Sequence, residues 1–271
     1  MNRKSFLTAL LVFMAVLGAK AQTNKVYKAD TIVDGNGNVI VNVYSAQTVV
    51  DGNVNLITRD YDVTVFDEIS MILPATVHYT VADKCSCRVT LDENLFEYLD
   101  IHAKGDELSL GYVYEKVQHT SLKPTKFVIE ISAPSIEKIS IVGSGDFCFV
   151  MPYDAQSLKI QTAGSGSVIF KETANIHLFE MQIAGSGKLE CKDLHADHTN
   201  LSIAGSGDMC IESGTVKNAD ISVAGSGSVD IRCQLESMDY NIAGSGSINY
   251  IGNVKIKGTN WGGKIKRIDK D

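Results

Sequence analysis

The sequence predicts an all-β protein, most of it a right-handed parallel β-helix, with a β-rich N-terminal segment capping the solenoid. Two observations carry that reading. The first is a tetrapeptide that keeps returning: Val142-Gly143-Ser144-Gly145 recurs as Ala-Gly-Ser-Gly, giving further turns at Gly164, Ser165, Gly166; Gly185, Ser186, Gly187; Gly205, Ser206, Gly207; Gly225, Ser226, Gly227; and Gly244, Ser245, Gly246. The first glycines lie 21, 21, 20, 20 and 19 residues apart, and self-similarity at such a period marks stacked repeat units. The second is the pattern on either side of each turn, where apolar residues alternate with small or polar ones.

Before the turn the apolar positions are Ile139/Ile141, Ile160/Thr162, Met181/Ile183, Leu201/Ile203, Ile221/Val223 and Tyr240/Ile242. Between them stand Ser140, Gln161, Gln182, Ser202, Ser222 and Asn241. After the turn the alternation resumes as Phe147/Phe149, Val168/Phe170, Leu189/Cys191, Met209/Ile211, Val229/Ile231 and Ile248/Tyr250. A period of two is that of a strand with one buried face. Each repeat is therefore strand, Gly-Ser-Gly corner, strand and a return segment. One repeat cannot bury its apolar face alone, but stacking at about 4.8 Å per strand joins the inward columns into one core. Glycine suits the corner because it accepts positive φ and has no Cβ to keep successive backbones apart. Parallel crossovers are overwhelmingly right-handed, which sets the expected hand. A seventh, eroded turn fits at Trp261-Gly262-Gly263-Lys264-Ile265, which aligns with Gly244-Ser245-Gly246-Ser247-Ile248, and the tryptophan is expected to close the stack. The six serines (Ser144, Ser165, Ser186, Ser206, Ser226, Ser245) are expected to hydrogen-bond locally and keep the corner narrow.

Competing repeats fit less well. Leucine-rich repeats need a Leu-x-x-Leu-x-Leu frame that is absent. Calcium-binding nonapeptides need Asp after every glycine pair, whereas Asp146, Ser167, Lys188, Asp208, Ser228 and Ser247 follow the motif here.

From its start the chain reads as a secretory leader over residues 1–21: Arg3 and Lys4, an apolar run from Phe6 to Leu17, then Ala19-Lys20-Ala21. The run is too short to span a bilayer, and no later segment is long enough. No cysteine follows it where a lipoprotein anchor would need one, so the mature chain is expected near Gln22, exported to the periplasm, the cell surface or beyond. Residues 22–130 form the β-rich segment and residues 131–271 the solenoid. Asp34-Gly35-Asn36-Gly37-Asn38 between two apolar runs reads as a hairpin turn. It is a poor calcium loop, since Val39 and Ser45 stand where Gly and Glu are required. Asp51-Gly52-Asn53, Asp92-Glu93-Asn94 and Lys104-Gly105-Asp106 read as turns, and Val63–Phe66, Ile69–Leu73, Thr76–Val81, Cys87–Leu91, Tyr98–His102 and Leu108–Leu110 as short strands. The open strand edges at solenoid ends call for polar caps, and the basic tail Lys264–Lys270 is placed to blunt one.

Removing the leader leaves 22 basic and 32 acidic residues, a net charge of −10 that argues against nucleic acid or an anionic membrane as partner. It leaves neutral glycans open. Export would allow disulfides, but Cys85, Cys87, Cys148, Cys191, Cys210 and Cys233 are scattered. Cys191 falls in an inward column, so free structural thiols are expected. Cys85-x-Cys87 lacks the further ligands of a zinc site.

With these residues in hand the chain resembles the auto-transporter adhesin head domain, the GIN family. That family couples a stretch like Thr58-Arg59-Asp60-Tyr61-Asp62-Val63-Thr64-Val65-Phe66-Asp67-Glu68-Ile69 with Leu91-Asp92-Glu93-Asn94-Leu95 and Lys104-Gly105-Asp106-Glu107-Leu108 to serial Gly-Ser-Gly turns. The similarity covers about residues 55–271. It implies a secreted or surface β-helical protein of a Gram-negative envelope serving adhesion, and it transfers no catalytic residues. Too few residues follow the repeats for a membrane barrel, so export through a barrel of its own is not expected.

Many β-helices act on polysaccharides, which makes catalysis the rival reading. Asp146 and Asp208 share a column but stand three rungs apart, about 14 Å, too far for paired glycosidase carboxyls at roughly 5–9.5 Å. Glu172, His177, Glu180, Asp193, His195, Asp197 and His198 are the candidates on the return segments. His195-x-x-His198 with Asp193 and Asp197 is the one plausible metal or acid/base cluster, though its spacing matches no metal motif. Gly258-x4-Gly263-Lys264 is no phosphate loop, because Ile265 replaces Ser or Thr. Gly-x-Ser-x-Gly never occurs. The sequence therefore points to a non-enzymatic solenoid with no cofactor, metal or catalytic residue. Its expected partners are a glycan or an envelope protein, or a second copy met through its ends or flanks.

Overall fold

The computed structural model describes residues 48–118 and 120–268, together with two strands at 27–33 and 39–45. The expected leader at 1–21 and the expected turn at 34–38 lie outside the described residues. Strand makes up 71% and helix 5%, so what holds the chain together is sheet stacking.

β1 (Tyr27–Val33) and β2 (Val39–Ser45) pair antiparallel with Val33 opposite Val39, the predicted hairpin. Then come β3 (Thr48–Asp51), β4 (Leu56–Tyr61), β5 (Glu68–Met71), β6 (Thr76–Val81) and β7 (Ser86–Asp92). After a 3-10 helix at Glu93–Tyr98 follow β8 (Leu99–Lys104), β9 (Glu107–Tyr112), a helical turn at Tyr114–Val117, β10 (Thr120–Lys123) and β11 (Phe127–Ala133). The repeats supply β12 (Lys138–Gly143), β13 (Asp146–Phe149), β14 (Tyr153–Gly164), β15 (Ser167–Gly185), β16 (Lys188–Gly205), β17 (Asp208–Ile211), β18 (Gly214–Gly225), β19 (Ser228–Ile231), β20 (Gln234–Gly244), β21 (Ser247–Ile251), β22 (Lys255–Trp261) and β23 (Lys264–Ile268).

These strands build a parallel β-helix of about 7 turns. A front face carries the strand segments that end at the glycine corner, a side face those that follow it, and a return face links one rung to the next. All six Gly-Ser-Gly turns stack on one edge, with Gly143, Gly164, Gly185, Gly205, Gly225 and Gly244 in register through parallel pairing. These first glycines have φ between 113° and 137°. A Cβ on Gly185 would sit 2.4 Å from the carbonyl oxygen of Gly164, and one on the second glycine, Gly166, 2.3 Å from that of Gly145. Both glycines are thus required, the first by conformation and close approach, the second by approach alone. The corner is knit by amides: Ser165, Ser186, Ser206 and Ser226 donate their backbone N–H to Gly143, Gly164, Gly185 and Gly205 at 2.8–2.9 Å. The six serine side chains are exposed, and among the described residues their hydroxyls bond to no protein atom. The expected local hydroxyl bonds are therefore replaced by amide bonds, because the in-register stack already brings a carbonyl to each serine N–H.

The stack begins before the first Gly-Ser-Gly. β5 and β6, joined by Ile72-Leu73-Pro74-Ala75, pair in parallel with β12 and β13. On their other side lie β9, parallel to β5, and β11, parallel to β6; β8 and β7 then pair antiparallel with these, and β4 with β7. The chain leaves β6, builds β7 to β11 on that side and returns on the opposite side of the β5–β6 rung as β12. Val63–Phe66, expected as a strand, is an extended link, since it carries the chain from β4 on the side face to β5 on the front face and can pair with neither. Asp92-Glu93-Asn94 opens the 3-10 helix instead of forming a simple turn. Fully buried Asp92 accepts hydrogen bonds from the amides of Val54 and Thr125 and the hydroxyl of Thr125 at 2.7–2.8 Å, clamping two loops to the end of β7. Burial opposes its ionisation, but these bonds outweigh it and hold the carboxyl below its ordinary value.

Repeat length varies at the corner between side and return faces and, in the last rung, at the glycine corner, where two residues between Trp261 and Lys264 face three between Ala243 and Ser247. Phe170 pairs with Cys191 but Thr173 with Asp193, so Lys171 and Glu172 bulge against one residue. Ile211 pairs with Ile231 and Thr215 with Gln234, which drops one residue at the same corner, between side and return faces. The front strands never change length. The wide early rungs hold aromatics: Phe149 stacks on Phe170 at 4.2 Å, and Tyr79, Phe147, Tyr153 and Phe179 adjoin. Tyr153 also seals the lower edge of the return face, its phenol donating to the carbonyl and accepting from the amide of Ile136. Later rungs hold Val, Ile, Met and Cys. All six cysteines are free, and burial pushes the Cys87 and Cys191 thiols up to about 12 and Cys233 to about 11.

Trp261 does not close the stack. The seventh turn is one residue short, two glycines doing the work of three, so Trp261 aligns with Ala243 on the outside of the front face, 76% exposed. The inward position belongs to Asn260, opposite Ile242, whose amide donates to the Gly263 carbonyl at 3.0 Å and accepts from its N–H at 2.8 Å.

Candidate functional site: the outward faces

Parallel, in-register pairing turns every outward position into a column. On the front face the middle column runs Ser109, Ser70, Ser140, Gln161, Gln182, Ser202, Ser222, Asn241, Thr259. Every member carries a hydroxyl or an amide. Gln161 donates to Gln182 at 2.9 Å and Thr259 to Asn241 at 2.9 Å, a ladder that orients these groups along the stack. From Ser140 to Thr259 it spans six strand spacings, about 29 Å. Beside it, toward the glycine corner, runs Ala163, Ala184, Ala204, Ala224, Ala243, which keeps that half of the face flat. The third column holds charges: Lys138 pairs with Glu68 at 2.5 Å and Lys159 with Glu180 at 3.0 Å, followed by Asn200, Asp220, Asp239 and Lys257. In the sequence the polar column is visible only as the residues between apolar ones; its length and flatness come from register.

The return face carries the candidate cluster, and the structure divides it. Asp193 accepts hydrogen bonds from Thr173 and Ser213 at 2.9 Å and faces His195 Nε2 at 3.4 Å. Asp197 instead takes His177 Nδ1 at 2.8 Å and Lys217 Nζ at 2.6 Å. Glu172 pairs with Lys192 at 3.4 Å, Glu180 belongs to the front face, and His198 lies exposed beyond Asp197 in another column, beside Leu178 and Asn218. Among the described residues no three ligating side chains converge. Partial burial opposes ionisation of Asp193, but the hydroxyls of Thr173 and Ser213 and the neighbouring imidazole lower its pKa all the same. Hydrogen bonds from Lys217 and His177 take Asp197 down to about 2. A general acid must hold a proton near neutral pH, so both carboxylates are suited to structure and charge, not to acid catalysis. Asp146 and Asp208 stand three rungs apart as counted and are bonded locally, to the Ser167 amide at 3.0 Å and the Ser228 hydroxyl at 2.5 Å. A shallow depression of about 490 Å³ lies at the lower edge of this face, between Ser135–Glu137 and Asp154, Asn175 and His177.

No curated protein matches the chain in sequence. Among solved structures, a protein of Parabacteroides distasonis titled "putative lipid binding protein" is 30% identical, with TM-score 0.72 over 82% of this chain and 100% of its own. A "putative adhesin" of Bacteroides fragilis (24% identical, TM-score 0.72, 81% and 100% covered) and another of Parabacteroides merdae (20%, 0.67, 82% and 99%) share the fold. The profile of the family described as "Putative auto-transporter adhesin, head GIN domain" matches residues 65–259. That span runs from just ahead of β5 to the last front strand, and on it the chain belongs to this family.

Proposed function

We propose that this chain is exported and acts without catalysis, as an adhesin-like scaffold that offers its front face to a repeating polymer, a glycan of the cell envelope or its surroundings. The observation that carries the reading is the unbroken column of hydroxyl and amide side chains from Ser109 to Thr259, flat on its alanine side and repeating every rung. A rigid solenoid can engage a long ligand at many weak points that sum. The family's description supports adhesion, and the leader-like residues 1–21 support export. No helix among the described residues is long and apolar enough to cross a membrane.

A glycan-array screen with the mature protein tests this. Replacing the front-face amides together, Gln161→Ala, Gln182→Ala and Asn241→Ala, is expected to weaken binding at least tenfold, whereas His195→Ala with His198→Ala leaves it unchanged. Products released from the glycans, or binding lost only with the histidines, would sink the reading in favour of a polysaccharide-active enzyme.

A further inference from the structure

The chain's acidity is not evenly spread. Residues 255–271 carry six basic and two acidic side chains, while the rest of the sequence carries 19 and 30. In the last described rung Lys255, Lys257, Lys264, Lys266 and Arg267 are all exposed. None of them takes part in an ion pair among the described residues.

Their placement is a ring. Lys257 projects from the front face beside Asp239 of the rung before, and Lys255 stands at the neighbouring corner, opposite Ser237. Lys264 and Lys266 project from the side face, above neutral Ser247 and Asn249. Arg267 takes an inward register position, opposite Tyr250, on the last described strand, yet is exposed. Two apolar side chains share the rim: Ile256, 43% exposed, and Trp261, 76% exposed.

Lysines on an open edge discourage strand addition, which accounts for the cations. It does not account for exposing the chain's only tryptophan where an alanine stands in the five preceding rungs. A tryptophan among lysines and an arginine is the chemistry of a bilayer interface, where the indole sits at headgroup level and the cations meet phosphate. Geometry separates a surface from a linear ligand. A chain lying along the front face would reach Lys257 and Trp261 but not Lys264 or Lys266, whereas a plane meeting the end of the rod reaches them all.

We propose that the last described rung docks end-on onto an anionic lipid surface, through the cationic ring and the Trp261–Ile256 rim. This stands apart from the front-face reading: it shares with that face only Lys257 and Trp261 of β22 and uses none of the hydroxyl and amide column.

The test is co-sedimentation of the mature protein with phosphatidylglycerol-containing vesicles and with phosphatidylcholine vesicles, alongside emission from the sole tryptophan. The expected result is binding to the anionic vesicles only, a blue shift on binding and at least tenfold weakening in high salt. Lys255→Glu, Lys257→Glu, Lys264→Glu and Lys266→Glu combined should lower partitioning by about 100-fold or more. Trp261→Ala should lower it several-fold. Circular dichroism checks that each variant is folded, and the Gln161, Gln182 and Asn241 alanine triple should bind vesicles as the parent does. Equal binding to phosphatidylcholine, binding with unchanged emission, or retention on a soluble polyanion without vesicle binding would each overturn the proposal.

Discussion

At one end of the stack, β5 and β6 are covered by β9 and β11, which are covered in turn by β8, β7 and β4, so the apolar interior is closed by sheet. At the other end β22 and β23 are, among the described residues, hydrogen-bonded along one side only, and every residue of β22 is exposed. The same rung geometry therefore ends in two ways. The first end is stopped by chain that reverses over it and is clamped by Asp92. The second is stopped by chemistry: Asn260 in an inward position, a shortened turn and a ring of cations. The difference teaches that the repeat itself carries no stop signal, and that each terminus must add one.

Substitutions graded by position would sharpen this contrast. Phe149→Ala, deep in the aromatic early rungs, should cost about 4 kcal/mol, read from urea unfolding. Gly185→Ala combines positive φ with a 2.4 Å approach to the Gly164 carbonyl and should cost about 3 kcal/mol or more. Gly262→Ala, in the last turn, shares the positive φ (103°) but meets its nearest atom only at 3.2 Å, so it should cost less, about 1 kcal/mol from backbone strain alone. Equal losses at these two glycines would break the comparison.

Asp92→Asn tests the closed end, with an expected loss of about 2 kcal/mol near neutral pH. Because the folded carboxyl titrates below its ordinary value, the stabilisation is present above the unfolded pKa of about 3.9 and disappears as pH falls through the depressed folded value. The difference between parent and variant should therefore shrink toward zero in strong acid, and a constant difference would exclude the ionised clamp. The smallest effect belongs to the open end: amides of β22 and β23 should exchange with deuterium before those of β15 and β16, with no change in global stability.

Much of the fold was legible because a stacked repeat writes its long-range contacts into local pattern. Each Gly-Ser-Gly gives a corner, and each alternation says which side chains point in. Legibility fails where pairing partners are distant and unlike. Nothing local in Phe127–Ala133 says that it lies parallel to β6 and antiparallel to β7 at once, and Leu56–Tyr61 carries too weak an alternation to announce an edge strand. Trp261 was misplaced by one residue, since the two-glycine turn was aligned with a three-residue one. The return-face cluster looked joined in sequence, yet Asp193 and Asp197 bind different partners, because residues four apart on a strand stand in separate columns, about 13 Å from each other along the chain. The front-face column was visible residue by residue, but its evenness follows from register, which no single repeat contains.

Through the six Gly-Ser-Gly rungs, front strands and glycine corners keep a fixed length while the side-to-return corner absorbs the loss of residues. Gaining or losing a whole rung would therefore change the molecule's reach in steps of about 5 Å and leave unaltered what the remaining rungs display. Reach and recognition can evolve independently in such a design, the first by duplication, the second by substitution along a column.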